Sequence, residues 1–420
     1  MRKYLFILLI AVMIPSFALA GDEFRFFGEL ALRGASFTDS NPDQDSYRGE
    51  VKFSPRMELR SSSVELVFSA DFRGGYPDEM YEQAFSVYRS DGEKPAGLLQ
   101  EFYLECGSEK SKIRLGRFKP EDTIKFDFFR LSPFASIDSS EPFLSLDKDR
   151  LLGNWGGLLS YNFGLVKAEL IAFAHEDPIL ATDPDDRWTR PLPLGFSFGE
   201  FKSDKDVDWG ARLSGRIASA QWEATFFNGS SQNANSIEAD LEKGECNLIF
   251  PEQTTVQAAI QLPLGPFNLR AGASQNWREW NDEEAEFVSY ISELEYIREN
   301  VFRGGDNLFL EIGYADVQDE GSPSELFVDN LGIDQIYRGG SVLATVEYSP
   351  SESWVIKARG IYNTEHKSSY VCPEVRKMFY TDFGEADVYL LGMIISGESD
   401  DVISAYRDCD NVEIGIKLFF

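Results

Sequence analysis

From residue 23 to the end, stretches of about ten residues alternate apolar and polar side chains with a period of two, and the polar set is largely charged. In the last stretch Val412, Ile414, Ile416, Leu418 and Phe420 fall on one side of an extended chain, with Glu413, Gly415 and Lys417 on the other. The first sets Phe24, Phe26, Leu30 and Leu32 against Arg25, Glu29 and Arg33. The second sets Tyr47, Val51, Phe53, Met57 and Leu59 against Arg48, Glu50, Lys52, Arg56, Glu58 and Arg60. The third sets Val64, Leu66, Phe68 and Phe72 against Glu65, Asp71 and Arg73. A dry core cannot take so many charges on one face. A wall with lipid on one side and water on the other can.

The connections sort themselves in the same sense. Short ones at 60–63, 107–111, 162–165, 216–220, 262–266 and 348–352 alternate with long polar stretches at 75–96, 118–150, 176–205, 229–252, 318–339 and 366–409. Periplasmic turns and extracellular loops alternate in this way in a membrane barrel. Starting in the periplasm, the rule predicts an all-β, transmembrane antiparallel β-barrel of about sixteen strands, with fourteen to eighteen open. They fall near 23–36, 46–60, 63–74, 97–107, 110–117, 153–163, 165–175, 206–216, 219–228, 253–262, 266–279, 286–298, 306–317, 340–348, 353–365 and 410–420. Segment 286–298 reads equally as a loop helix.

Export is written at the start. Arg2 and Lys3 precede an apolar run from Tyr4 to Ile14, and Ala18 and Ala20 have the small side chains of a cleavage site. Residues 1–20 are read as a signal peptide and 21–420 as the barrel with its loops. The apolar run is too short for a membrane helix, and no cysteine follows the cleavage point to carry a lipid anchor. The formal charge of −30 argues against nucleic acid as a partner. Enzymatic signals are poor: His175 and His366 are the only histidines, and neither a phosphate loop nor zinc spacing is present. No cofactor and no resident metal are expected. A plug domain ahead of the barrel is excluded because the first strand begins at once.

Cys106, Cys246, Cys372 and Cys409 allow up to two disulfides in an exported chain. The strand assignment puts Cys372 and Cys409 at the two ends of one extracellular loop. It predicts a disulfide closing about 37 residues, worth about 3–4 kcal/mol in the chain-entropy treatment. Cys106 and Cys246 are placed too far apart to pair. Inside the same loop Val388–Ile395 is too apolar to lie free in water. It reads as a strand, as a piece packed on the mouth, or as a segment folded into the lumen.

The inward face is the expected functional surface, since about sixteen strands leave an aqueous channel where eight do not. The candidate pore-lining residues are Arg25, Arg33, Arg48, Lys52, Arg56, Arg60, Arg114, Arg212, Lys357, Arg359 and Lys417. Closure brings the last two strands beside the first two and gathers most of them into a basic arc, which would favour anionic solutes. The competing reading is that these cations pair with interleaved glutamates and only stiffen the wall. Loop 118–150 is a candidate to fold inward as a constriction, a surface loop being the plainer alternative. Asp183, Asp185 and Asp186, or Asp282, Glu283 and Glu284, could bind divalent cations that bridge lipopolysaccharide, although such runs are more often merely solvated.

Lys112-Ile-Arg-Leu-Gly-Arg117 resembles a strand of alginate-export-type barrels, and its continuation Phe118-Lys-Pro120 is similar to phosphate-selective (O/P) porins. Asp208 to Arg216, with Trp222 and Phe226 to Gly229, resembles the paired strands midway along these families, and the C-terminal strand resembles the closing strand of bacterial outer-membrane barrels. The motifs cover about a quarter of the chain, and the glycine- and tryptophan-containing remainder of the alginate-export signature is missing after Arg117. The resemblance implies diffusion or export of anionic solutes or sugars, with Arg114 and Arg212 facing the pore. The sequence is thus read as a passive porin-like channel of the outer membrane for small solutes, with anionic solutes as one option. Its expected partners are outer-membrane lipid and lipopolysaccharide, the solutes, and the assembly machinery acting on the C-terminal strand, with a homotrimer left open. The alternative is a non-conducting barrel that works as a surface binding or structural protein through its acidic loops. A soluble exported β-protein ranks third.

Overall fold

The computed structural model describes residues 23–38, 46–76, 82–86, 95–128, 133–134, 138–139, 151–176, 179–180, 197–203, 205–231, 236–240, 243–280, 283–319, 336–381, 384–397 and 403–420. Among these, eighteen antiparallel strands close into one barrel. In chain order they are β1 (Glu23–Phe37), β2 (Tyr47–Arg60), β3 (Val64–Tyr76), β4 (Pro95–Gly107), β5 (Ser111–Phe118) and β6 (Asn154–Asn162). Then come β7 (Val166–Ala174), β8 (Val207–Ile217), β9 (Ala220–Ser230), β10 (Glu252–Leu264), β11 (Phe267–Trp280) and β12 (Glu283–Glu299). The last six are β13 (Asn307–Asp319), β14 (Ser341–Ser351), β15 (Trp354–Asn363), β16 (Ser369–Thr381), β17 (Gly384–Ser396) and β18 (Asn411–Phe419). Each pairs with its sequence neighbours, and β1 pairs with β18 from Glu29↔Phe419 to Phe37↔Asn411. Backbone hydrogen bonds exchanged between Gly28 and Phe420, at 2.9 and 3.1 Å, finish the seam at the terminal aromatic.

The count corrects the expectation of about sixteen. The stretch 366–409 is not one loop, because it holds the hairpin β16–β17, and Val388–Ile395 is wall. Segment 286–298 is the strand β12, not a helix. The same correction removes the predicted disulfide. Cys372 lies on β16 and Cys409 just before β18, so β17 stands between them, about two strand spacings in all. A disulfide needs Cα atoms within about 4.4–6.8 Å. All four cysteines are free thiols.

The outward face explains the alternation. Leu115, Leu170, Leu213, Ile312, Leu390 and Ile414 are each 47–60% exposed, and similar aliphatic side chains cover the outside of the other strands. A contiguous apolar belt on this scale is stable only against lipid. Exposed Phe24, Phe163, Phe302, Trp354 and Tyr380 lie by the short turns, and Tyr47, Trp209, Trp277, Tyr314 and Tyr362 by the opposite ends of their strands. These are aromatic girdles at the two interfaces. The chain is an outer-membrane β-barrel.

Beyond the wall, Ser197–Ser203, Ser236–Asp240 and Glu245–Phe250 form a small three-stranded sheet in the outer loops, with Cys246 buried in it. Residues 1–20, read from the sequence as a signal peptide, the cluster Asp183, Asp185 and Asp186, and Asp282 lie outside the described residues.

Candidate functional site

The lumen is two-sided. After β5 the chain turns inward, and residues 119–128 follow the inner wall across β8, β9, β11 and β12. Asp122 meets Arg212 of β8 at 3.3 Å. The Thr123 N–H donates to Glu223 of β9 at 2.8 Å. Arg270 of β11 donates to the Lys125 carbonyl at 2.7 Å, and Glu293 of β12 accepts the N–H groups of Asp127 and Phe128 at 3.2–3.3 Å. The Tyr337 hydroxyl, from the loop after β13, donates to the Phe128 carbonyl at 2.5 Å. Each contact offers a backbone group or charge of the loop a partner on the wall or on a neighbouring loop, as a segment withdrawn from water requires.

Apolar contacts hold the same loop. Phe118 and Phe134 join a buried cluster with Val67, Tyr103, Leu158, Ile171, Phe173 and Phe227. Phe134 stacks edge-on against Phe227 at 5.5 Å and occupies the space that a side chain at Gly210 would need. Phe128 enters a second cluster of inward-facing residues of β12–β17, including Phe287, Ile291, Leu343, Ile361, Tyr370 and Met393, capped by Ile336, Tyr337, Ile403 and Tyr406. The inward face is therefore not uniformly polar. Where loops cover it, it is a dry core.

The charges of the candidate arc lie mainly on β1–β5, β15 and β18. Arg33 pairs with Glu50 at 3.0 Å and, across the closing seam, with Glu413 at 3.7 Å. Arg48 lies 3.9 Å from Glu50, and Lys52 and Arg73 lie 3.7 and 3.5 Å from Asp71. Arg56 binds Glu58 at 2.9 Å and also Glu101; Arg60 binds Glu65 at 2.6 Å. Arg114 pairs with Glu105 at 2.7 Å and lies 4.4 Å from the centre of the Tyr103 ring. Arg25 is half-exposed and bound to Glu23, and Lys357 lies 3.8 Å from Glu347. Among the described residues, Arg359 and Lys417 make no ion pair. The Lys417 ammonium instead lies 6.0 Å from the centre of the Tyr389 ring.

Most sequence-predicted site residues lie on one arc, interleaved with carboxylates, but β16 and β17 separate Lys357 and Arg359 of β15 from the closing strand, so these two do not adjoin the seam as expected. Arg212 is the exception in role. It is 3% exposed, bound to Glu169 at 2.7 Å and to Asp122, and it anchors the loop where an open pore face was expected. Sequence reading did not single out Asp122, Asp127, Glu293, Glu295, Glu311 or Tyr337. The odd-numbered Glu293 and Glu295 share a strand face with Ser289, a pattern that signals a lumenal side once 286–298 is taken as strand.

Neither a protein-family model nor a curated protein matches the chain. Solved structures do. A BenF-like porin from Pseudomonas fluorescens aligns with a TM-score of 0.55 at 9% identity, covering 95% of this chain and 98% of that one. OccK11 (OpdR) of Pseudomonas aeruginosa aligns at 0.53 and 10% identity, covering 96% of both chains. OccK2 (OpdF) of the same organism, in complex with glucuronate, aligns at 0.51 and 12% identity, covering 95% and 97%. The likeness is one of fold, a porin-like outer-membrane barrel, and it singles out neither of the two families that the strand motifs resemble.

Proposed function

We propose that this barrel is a selective diffusion channel through which small anionic solutes, carboxylates in particular, pass along the charged arc of its wall. An eighteen-stranded wall encloses more section than its side chains fill, which leaves a water path. The inner loop takes one side of that path, so a solute is confined to the other.

The observation that carries the reading is the pair of cations, Arg359 and Lys417, that face this side without a carboxylate partner among the described residues while their neighbours are matched. A matched pair offers a passing anion little, whereas an unmatched cation lowers its barrier. The glucuronate bound by one structural neighbour is a small carboxylate, which fits the same chemistry.

Reversal potentials in planar bilayers under a potassium chloride gradient test the proposal. The wild type is expected to favour chloride, and Arg359→Glu with Lys417→Glu to move the reversal potential towards potassium. Potassium selectivity in the wild type, left unchanged by the double reversal, would contradict it.

A further inference from the structure

Four carboxylates converge on one guanidinium where the inner loop crosses β11–β13. Arg270 Nη2 lies 2.5 Å from Glu311 Oε1, 3.2 Å from Asp127 Oδ2 and from Glu295 Oε2, and 3.3 Å from Glu293 Oε2. A terminal guanidinium nitrogen has only two hydrogens to give. Arg270 Nη1 is already turned to the Lys125 carbonyl. Glu293 does not depend on the arginine, because the Asp127 and Phe128 N–H groups serve it.

Glu311 is left short. Its side chain is 1% exposed, and its Oε2 is buried without a hydrogen-bond partner. Glu295 and Glu311 are also direct register partners across β12 and β13, a placement in which like charges repel. One arginine does not neutralise this set, and the orphaned oxygen marks where further positive charge belongs. Asp127, Glu295 and Glu311 can each bring one carboxylate oxygen within 4.8 Å of the other two. That is the spread of oxygens around a cation with metal–oxygen distances of about 2.3–2.6 Å.

We propose that Asp127, Glu295 and Glu311 bind a divalent cation of the calcium class. The donor set is all oxygen, as a hard cation requires, and calcium tolerates an irregular shell completed by water. Asp127 and Glu295 are partly exposed and give that water access from the lumen. Since Asp127 belongs to the loop and the two glutamates to the wall, the ion clips the constricting loop to β12 and β13.

Isothermal titration of the folded, EDTA-treated barrel with calcium chloride in detergent tests the site, alongside Glu295→Gln/Glu311→Gln. Asp127→Asn serves as a second variant whose change lies on the loop and not in the wall. The wild type is expected to bind calcium and to gain resistance to heat unfolding on gels. Both variants are expected to weaken binding by about tenfold or more and to lose that gain. Absence of binding by the wild type, or binding that is equal in the variants and so belongs to other acidic groups, overturns the proposal.

Discussion

Asp122, at the start of the inward-folded loop, lies 3.3 Å from Arg212 of β8, a buried arginine that Glu169 holds from its other side at 2.7 Å. Through this relationship a loop residue is fixed by a charge already required in the wall. Asp122→Ala removes a loop anchor and leaves the Arg212–Glu169 pair intact. Single-channel recordings are expected to show a larger and noisier conductance, with heat-modifiable gel mobility unchanged. Arg212→Ala strips Glu169 of its buried counter-charge and leaves it only the half-exposed Lys167. It is expected to cost about 3 kcal/mol, seen as a lower unfolding temperature on gels.

Gly415 on β18 faces Tyr389 of β17, its register partner, and an added Cβ would lie 2.3 Å from the ring's Cζ and hydroxyl oxygen. The Tyr389 hydroxyl donates to Glu413 at 2.7 Å, so the glycine makes room for an inner-wall contact one strand from the seam. Gly415→Ala is expected to push the ring aside and destabilise the barrel by about 1–3 kcal/mol in urea unfolding. Tyr389→Leu in the same chain should recover part of that loss. No loss in Gly415→Ala would show that the ring has another place to go.

The wall was legible in the sequence because lipid and water impose opposite demands on successive residues, as in Arg48 to Arg60 or Val412 to Phe420. The seam was legible too, and Arg33 does meet Glu413 across it. What hid was any place where protein covers the inner face. Leu391, Met393 and Ile395 point inward among apolar partners, so this part of β17 is apolar on both faces and loses the alternation that marks a strand. Its covering residues, Phe128, Ile336 and Tyr406, come from distant loops, and no local pattern announces them. Ion-pair partners were hidden for the same reason. The period of two places Arg212 on the lumenal face but says nothing of Asp122.

Asp306 organises the turn before β13. Its carboxylate accepts the N–H groups of Val301, Phe302 and Arg303 at 2.7–3.1 Å and the Tyr348 hydroxyl at 2.9 Å. Enclosure by the turn alone would push this carboxyl up, but the donors from Phe302, Tyr348, Arg303 and Val301 outweigh it and hold the group below its usual value. A depressed folded-state pKa stabilises fully above the unfolded value of about 3.9, and the contribution is lost as pH falls through the folded value. Unfolding temperatures of wild type and Asp306→Asn are therefore expected to differ at neutral pH and to converge below about pH 4. A difference that is constant across that window would mean the carboxylate's charge plays no part.

The central claim is that the charged arc opposite the inner loop lines a conducting path. Purified, refolded protein added to a planar bilayer tests it most directly, with insertion confirmed independently by heat-modifiable mobility. Discrete, stepwise conductance increases are predicted, with step size rising in Asp122→Ala. A barrel that inserts and never conducts, in the wild type and in that variant alike, would contradict the account.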